Sequence, residues 1–152
     1  MNIFTDPTTV THGIQLAVAP VFLLTAVSGM IGSVANRLAR IIDRARVLEE
    51  RLKSPQAPEF VSHTHLELTM LRKRGHLANG AIGLLTLCSF LIGLTIVILF
   101  LDETTAFEID RLAIVSFLSG VACFMMALGC FMAETMLATR ILNFGRPKRN
   151  VD

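Results

Sequence analysis

Three long apolar segments dominate the pattern of hydrophobic and polar positions along the chain. They cover residues 13–35, 77–101 and 112–139. A helix needs roughly 20 residues to cross about 30 Å of hydrocarbon, and within lipid a single span must satisfy its backbone hydrogen bonds as a helix. The pattern therefore predicts an all-α integral membrane protein with three transmembrane helices, forming one membrane domain over residues 1–152.

The connection between the first two spans, residues 36–76, also carries a helical pattern. Its apolar residues recur at alternating steps of three and four, as in Leu38, Ile41, Ala45, Leu48 and Leu52. Residues 54–58 then break the helix with two prolines, and a second apolar pattern follows over residues 59–74. This spacing is typical of helices that pack along a partner. We expect helices 1 and 2 to extend beyond the membrane as an antiparallel helical hairpin with coiled-coil packing.

The charged residues predict the orientation of the chain. Of the 14 Lys and Arg residues, all but Arg111 lie between spans 1 and 2 or after span 3. The opposite side carries the acidic residues Asp6, Asp102, Glu103, Glu108 and Asp110. Because Lys and Arg concentrate on the cytoplasmic side of membrane proteins, we expect the N-terminus outside, and the hairpin and the C-terminus in the cytoplasm.

Composition supports the membrane class and excludes several others. Hydrophobic residues make up 53% of the chain and the mean hydropathy is +0.61, which is too apolar for an ordinary soluble domain. The sequence contains no nucleotide-binding loop, nucleophile elbow, zinc signature or catalytic carboxylate pair. We therefore expect no enzyme, catalytic residue, cofactor or metal site. Nucleic acid is not an expected partner, because acidic residues interrupt the basic ones and no aromatic residues lie among them.

Helix 1 carries a face of small and polar residues, which we call the small-polar face. It comprises Thr25, Gly29, Gly32, Ser33 and Asn36, together with the apolar residues Val18 and Phe22 at its N-terminal end. One interpretation is close helix packing, since small residues four apart let backbones approach each other. The other is that copies of helix 1 line a pore, with Val18 and Phe22 forming an apolar constriction that gates by dewetting.

A second polar constellation is predicted at the cytoplasmic boundary of the three spans. Its members are Asn36, Arg37, Arg40, Asp43, His76, Asn79, Glu134 and Arg140. A carboxylate within a span is costly unless it is protonated or paired, so we expect Glu134 to pair with Arg37 or Arg40. That ion pair would hold the helices together. The alternative is a proton or cation relay through Glu134, Asn79 and His76.

The polar run at the end of span 1 carries a family resemblance. Residues 36–46, NRLARIIDRAR, follow a span that contains Ala19-Pro20 and Phe22-Leu23-Leu24. This arrangement resembles the signature of a bacterial membrane family, domain of unknown function 2721, over nearly the whole chain. The resemblance implies a location in the bacterial inner membrane. It implies no activity, so no catalytic or ligand-binding residue is carried over from it.

Two classes of function follow from these patterns. The first is a structural or accessory membrane protein that assembles as a homo-oligomer or within a larger membrane complex. The second is a homo-oligomeric ion channel lined by the small-polar face. The lipid bilayer is the expected surrounding, and the cytoplasmic arginines either hold anionic lipid headgroups or serve only to set the topology.

Overall fold

The protein folds into three long α-helices. The structure is a computed structural model that describes residues 7–53, 58–104 and 110–144, and no strand occurs within those ranges. The helices are α1 (Pro7–Leu52), α2 (Pro58–Thr104) and α3 (Asp110–Phe144). At about 1.5 Å per residue, α1 and α2 are each roughly 70 Å long, more than twice the thickness of the hydrocarbon core. The predicted break at residues 54–57 lies outside the described residues.

Each helix contains a segment that is long and apolar enough to cross a membrane. These segments lie within Ala17–Leu52, Phe60–Leu101 and Arg111–Thr139. Large apolar side chains within them face outward, including Phe22, which is 73% exposed, and Phe90. Such exposure is typical of a lipid-facing surface and is uncommon on a soluble domain. The prediction of an all-helical, multi-pass membrane protein is therefore confirmed.

Helix α2 lies at the centre of the arrangement. It packs along both α1 and α3, whereas α1 and α3 touch each other at few positions. Ala81, Leu85, Cys88 and Ile92 of α2 are fully buried in the main apolar cluster. Because two neighbours contact α2 on different sides and lipid faces the rest, its apolar residues do not form a single stripe.

Helix α1 contacts α2 through one seam. Val27, Val34, Ile41 and Leu48 are buried at intervals of seven residues. Spacing of this kind keeps one side of a helix against its partner over a long distance. Val27 and Val34 belong to the main cluster. Ile41 and Leu48 form a second cluster with two residues of α2, Leu68 and Leu71.

Helix α3 contacts α2 through a stripe of small residues. The buried positions are Ala113, Ser116, Gly120, Cys123 and Ala127. Small side chains let two helix backbones approach closely, and the Ser116 hydroxyl donates a hydrogen bond of 3.0 Å to the carbonyl oxygen of Leu91 in α2. The cysteines in the described residues are free thiols.

Candidate functional site

One buried carboxylate joins all three helices. Glu134 of α3 is 1% exposed, and its side chain lies between two arginines. Arg74 of α2 donates hydrogen bonds to Glu134 Oε1 from Nε at 3.0 Å and from Nη2 at 2.8 Å. The Nη2 atom of Arg37, on α1, forms an ion pair with Oε2. We call Glu134, Arg37 and Arg74 the Glu134 triad.

The Glu134 triad is also the main polar link between α1 and α3. Arg37 Cζ lies 5.0 Å from the centroid of the Phe131 ring, a distance at which a guanidinium is attracted to an aromatic face. Phe131 precedes Glu134 by three residues, so both lie on the same side of α3. Helix α3 therefore offers Arg37 a carboxylate and an aromatic ring together, where few other contacts join these two helices.

The Glu134 triad carries more positive than negative charge. Two guanidinium groups surround one carboxylate, and the side chains of Arg37 and Arg74 retain 27% and 19% of their exposure. The Arg37 contact is ionic and does not align as a hydrogen bond, so Oε2 has no hydrogen-bond partner among the described residues. A buried carboxylate is tolerated when such partners neutralise it. The arrangement can clamp three helices, and it leaves positive charge facing outward.

The structure differs in part from the predicted boundary constellation. Glu134 does pair with Arg37, but Arg40 forms no ion pair with it, and the second partner is Arg74. Arg74 was not predicted as a partner, although it lies next to span 2. Phe131 was not predicted either, because an aromatic residue within a span gives no distinct signal.

The remaining members of the boundary constellation are not part of the Glu134 triad. Exposed side chains are those of Asn36, Arg40, Asp43, His76 and Asn79. Within the described part of the chain, neither His76 nor Asn79 bonds to Glu134. Arg140 falls in α3, but its side chain lies outside the described residues.

The small-polar face of α1 is exposed along its whole length. All seven residues are exposed: Val18, Phe22, Thr25, Gly29, Gly32, Ser33 and Asn36. A Cβ atom added at Gly29 or Gly32 would meet nothing within 4 Å. The Thr25 hydroxyl donates to the carbonyl oxygen of Val21 at 3.1 Å, so it is satisfied within α1. Within a single copy, Gly29 and Gly32 therefore pack against neither α2 nor α3.

Beyond the Glu134 triad, ion pairs join α1 to α2. Arg44 donates to Glu67 Oε1 from Nε at 3.0 Å and from Nη2 at 2.9 Å. Arg72 Nη2 lies 3.5 Å from Glu49 Oε1. These side chains are well exposed, and exposed pairs of this kind contribute at most about 1 kcal/mol each. Apolar packing holds this part of the two helices together.

Comparisons with known proteins give a family and no activity. A family model described as "Protein of unknown function (DUF2721)" matches residues 17–144. That range includes the Glu134 triad and the small-polar face. The comparison with curated proteins and the comparison with solved structures each found no match. Among the described residues, no group of three or more His, Cys, Asp or Glu side chains is placed to hold a metal ion.

Proposed function

The chain belongs to the DUF2721 family, and from that premise we propose that it is a structural or accessory membrane protein that assembles with itself through the small-polar face of α1. The observation that carries this proposal is that all seven residues of that face are exposed. Gly29, Gly32 and Ser33 form a row of exposed small residues at the centre of that face, and such a row is typical of a surface that packs against another helix in a membrane.

Physical chemistry favours a second copy against this face. Gly29 and Gly32 leave open space in which another helix can approach closely, and close approach is the main source of helix association in lipid. Ser33 and Asn36 form no side-chain hydrogen bond within the described residues. Ser33 lies within the first predicted span, and a hydroxyl left unsatisfied in hydrocarbon costs several kcal/mol, on the order of 4–8 by transfer to cyclohexane. A partner helix removes that cost.

The extension of α1 and α2 beyond the spans carries further surface for association. Leu66 is 63% exposed and Met70 is 48% exposed, and they lie four residues apart on α2. In water, neighbouring exposed apolar side chains of this size mark a contact surface. They fit either another copy of the chain or a larger membrane complex, and both belong to the accessory class.

We assign the extension to the cytoplasm, as an antiparallel helical hairpin, with the N-terminus outside and the C-terminus inside a bacterial inner membrane. The distribution of basic residues supports this orientation. Arg44 pairs with Glu67 across the two helices, and Arg72 pairs with Glu49. These pairs support the hairpin.

Cysteine labelling in spheroplasts tests the orientation. We expect His65→Cys to react with a membrane-impermeant maleimide only after permeabilisation, and Arg111→Cys to react in intact spheroplasts, because both positions are exposed on opposite sides of the bilayer. The unsubstituted chain gives the background from the native cysteines. The reverse pattern of reactivity would show that the orientation is wrong.

Leucine substitutions on the small-polar face test self-assembly. We expect the double variant Gly29→Leu, Gly32→Leu to lose most of its oligomer, because two large side chains prevent the close approach of helices. The fold of each copy should survive, since both positions face open space. Native mass spectrometry of the detergent-solubilised protein gives the number of copies directly.

Gly129→Leu is the matched control for that double variant. Gly129 lies on α3, and a Cβ there also meets nothing within 4 Å. The control should keep the wild-type number of copies. If the double variant and the control assemble equally well, the small-polar face is not the interface.

An ion channel is the second candidate function, and the chemistry of the same face supports it. Phe22 and Val18 lie at one end of the face and Asn36 at the other, and all three are exposed. A ring of such helices would place an apolar constriction before a polar vestibule. Ion flux into liposomes separates the candidates, because a channel conducts and responds to Phe22→Ala, whereas a scaffold gives no flux.

A further inference from the structure

A cavity between α1 and α2 is lined by four arginines and two apolar residues. It has a volume of about 250 Å³, and its walls are Arg37, Arg40, Ile41, Arg44, Leu71 and Arg74. The two apolar residues, Ile41 and Leu71, are both buried where α1 packs against α2. The side chains of four arginines therefore border one small volume at the edge of the predicted spans.

The cavity has an excess of positive charge. Glu134 neutralises part of the charge of Arg37 and Arg74, and Glu67 pairs with Arg44. Four guanidinium groups against two carboxylates leave two positive charges uncompensated. Asp43 is exposed and does not line the cavity.

Arg40 is the arginine of this group with no acidic partner among the described residues. A guanidinium that lines a cavity without a counter-ion is available to a ligand. Four like charges so close together also repel one another, and an anion between them would relieve that repulsion. The uncompensated positive charge therefore favours the binding of an anion from outside the chain.

We propose that this cavity is a binding site for a phosphate-bearing anion. The planar guanidinium group donates paired hydrogen bonds that match phosphate oxygens, and several arginines are available at once. Two sources offer the same chemistry: the phosphodiester headgroup of an anionic lipid, and a soluble phosphate. The proposal concerns a single copy of the chain and does not depend on self-assembly.

A neighbouring surface connects the cavity to the membrane. A second concave region of about 690 Å³ shares Arg37 and Arg40 and continues to Ser33 and Asn36 of α1. Ser33 lies within the first predicted span, so this region leads from the arginines toward hydrocarbon. A lipid headgroup can therefore reach Arg37 and Arg40 from the bilayer. Headgroup binding at basic sites on the cytoplasmic side is a common use of such residues.

Ligand binding is linked to stability through the Glu134 triad. Arg37 and Arg74 belong both to the cavity and to the triad. An anion that binds the folded chain and not the unfolded chain raises the unfolding temperature, and the rise continues with the logarithm of the free anion concentration above the dissociation constant. Thermal unfolding therefore reports binding without a functional assay.

The test uses the purified full-length chain in an uncharged detergent. Its unfolding temperature is measured during titration with dioleoylphosphatidylglycerol, with dioleoylphosphatidylcholine as the zwitterionic control, and with inorganic phosphate. Arg40→Gln is the test variant, since its removal leaves no acidic side chain unpaired. Arg46→Gln is the matched control, because Arg46 is an exposed arginine of α1 that does not line the cavity.

We expect phosphatidylglycerol, inorganic phosphate or both to stabilise the wild type, and phosphatidylcholine to have a much smaller effect. Arg40→Gln should weaken the apparent affinity by about tenfold, Arg40→Lys should restore part of it, and Arg46→Gln should match the wild type. Stabilisation by the lipid alone assigns the site to a headgroup, and stabilisation by phosphate assigns it to a soluble anion. Stabilisation by neither anion, or equal weakening by Arg40→Gln and Arg46→Gln, overturns the proposal.

Discussion

Replacing Glu134 with Ala is expected to lower the free energy of unfolding by about 3 kcal/mol, at the lower end of the range for breaking a buried ion pair from one side. The substitution removes the acceptor of Arg74 and the counter-ion of Arg37. It leaves two like charges facing each other at the meeting point of three helices. We expect a loss of unfolding free energy near the lower end of that range because both arginines are partly exposed and can turn toward water.

Glu67→Ala is the matched control for this prediction, since it also removes a carboxylate that pairs with an arginine. The Arg44–Glu67 pair is well exposed, so its loss should cost less than about 1 kcal/mol. Unfolding by titration with sodium dodecyl sulfate gives both free energies in mixed micelles. Equal effects of Glu134→Ala and Glu67→Ala would mean that the Glu134 triad does not clamp the helices.

Replacing Gly120 with Leu is the second large effect expected, with a loss of about 3 kcal/mol through overpacking. A Cβ atom at this position would lie 2.9 Å from Ile92 Cδ1, 3.3 Å from Ile92 Cγ1 and 3.5 Å from Leu91 Cβ. The flexible end of Ile92 can move away from a single methyl group, so Gly120→Ala should be milder. A leucine needs more room than that, and α3 must then separate from α2.

Gly129→Leu controls for the effect of a leucine on α3 away from the packed stripe. A Cβ at Gly129 meets nothing within 4 Å, so this variant should retain nearly all of the wild-type stability in the same unfolding titration. A destabilisation of Gly129→Leu as large as that of Gly120→Leu would show that α3 does not pack on α2 through the stripe at Gly120.

Much of the fold could be predicted because a membrane restricts the choice of structure. Long apolar segments in a bilayer must be helices, so the three spans followed from length and apolarity. The seam of α1 was also visible in the sequence. Its repeat at Val27, Val34, Ile41 and Leu48 continues from the first predicted span into the polar region, and all four residues are buried.

The order of the helices in space could not be predicted in the same way. Apolar residues occur all around α2 and α3, because lipid and protein neighbours both accept them. The small stripe of α3 that contains Ser116 and Gly120 was not predicted, and only the structure shows that it contacts α2. The central position of α2 depends on tertiary packing.

The partners of Glu134 also depend on tertiary packing, so only one of them could be predicted from the sequence. A carboxylate within a span predicts a cationic partner, and Arg37 was one of the two named from the sequence. Arg74 was missed because Arg72, Lys73 and Arg74 follow one another, and their separate directions around α2 depend on the rotation of that helix. Arg72 contacts Glu49, whereas Arg74 turns to Glu134.

The two proposals assign two parts of the polar surface of α1 that meet at Ser33 and Asn36. Its small-polar face, with Gly29 and Gly32 at the centre, is assigned to another copy of the chain. The arginine cavity, which lies between α1 and α2, is assigned to a phosphate-bearing anion. Each proposal can fail without the other, because Gly29 and Gly32 do not line the cavity and Arg44 and Arg74 do not belong to the face.

Self-assembly is the central claim, and counting copies in a lipid bilayer tests it most directly. The full-length chain is labelled with one fluorophore at its C-terminus and reconstituted at low density, and the photobleaching steps of single spots are counted. We predict two or more steps per spot for the wild type and mostly one step for the double variant Gly29→Leu, Gly32→Leu. Single-step bleaching of the wild type at every protein density would contradict the claim.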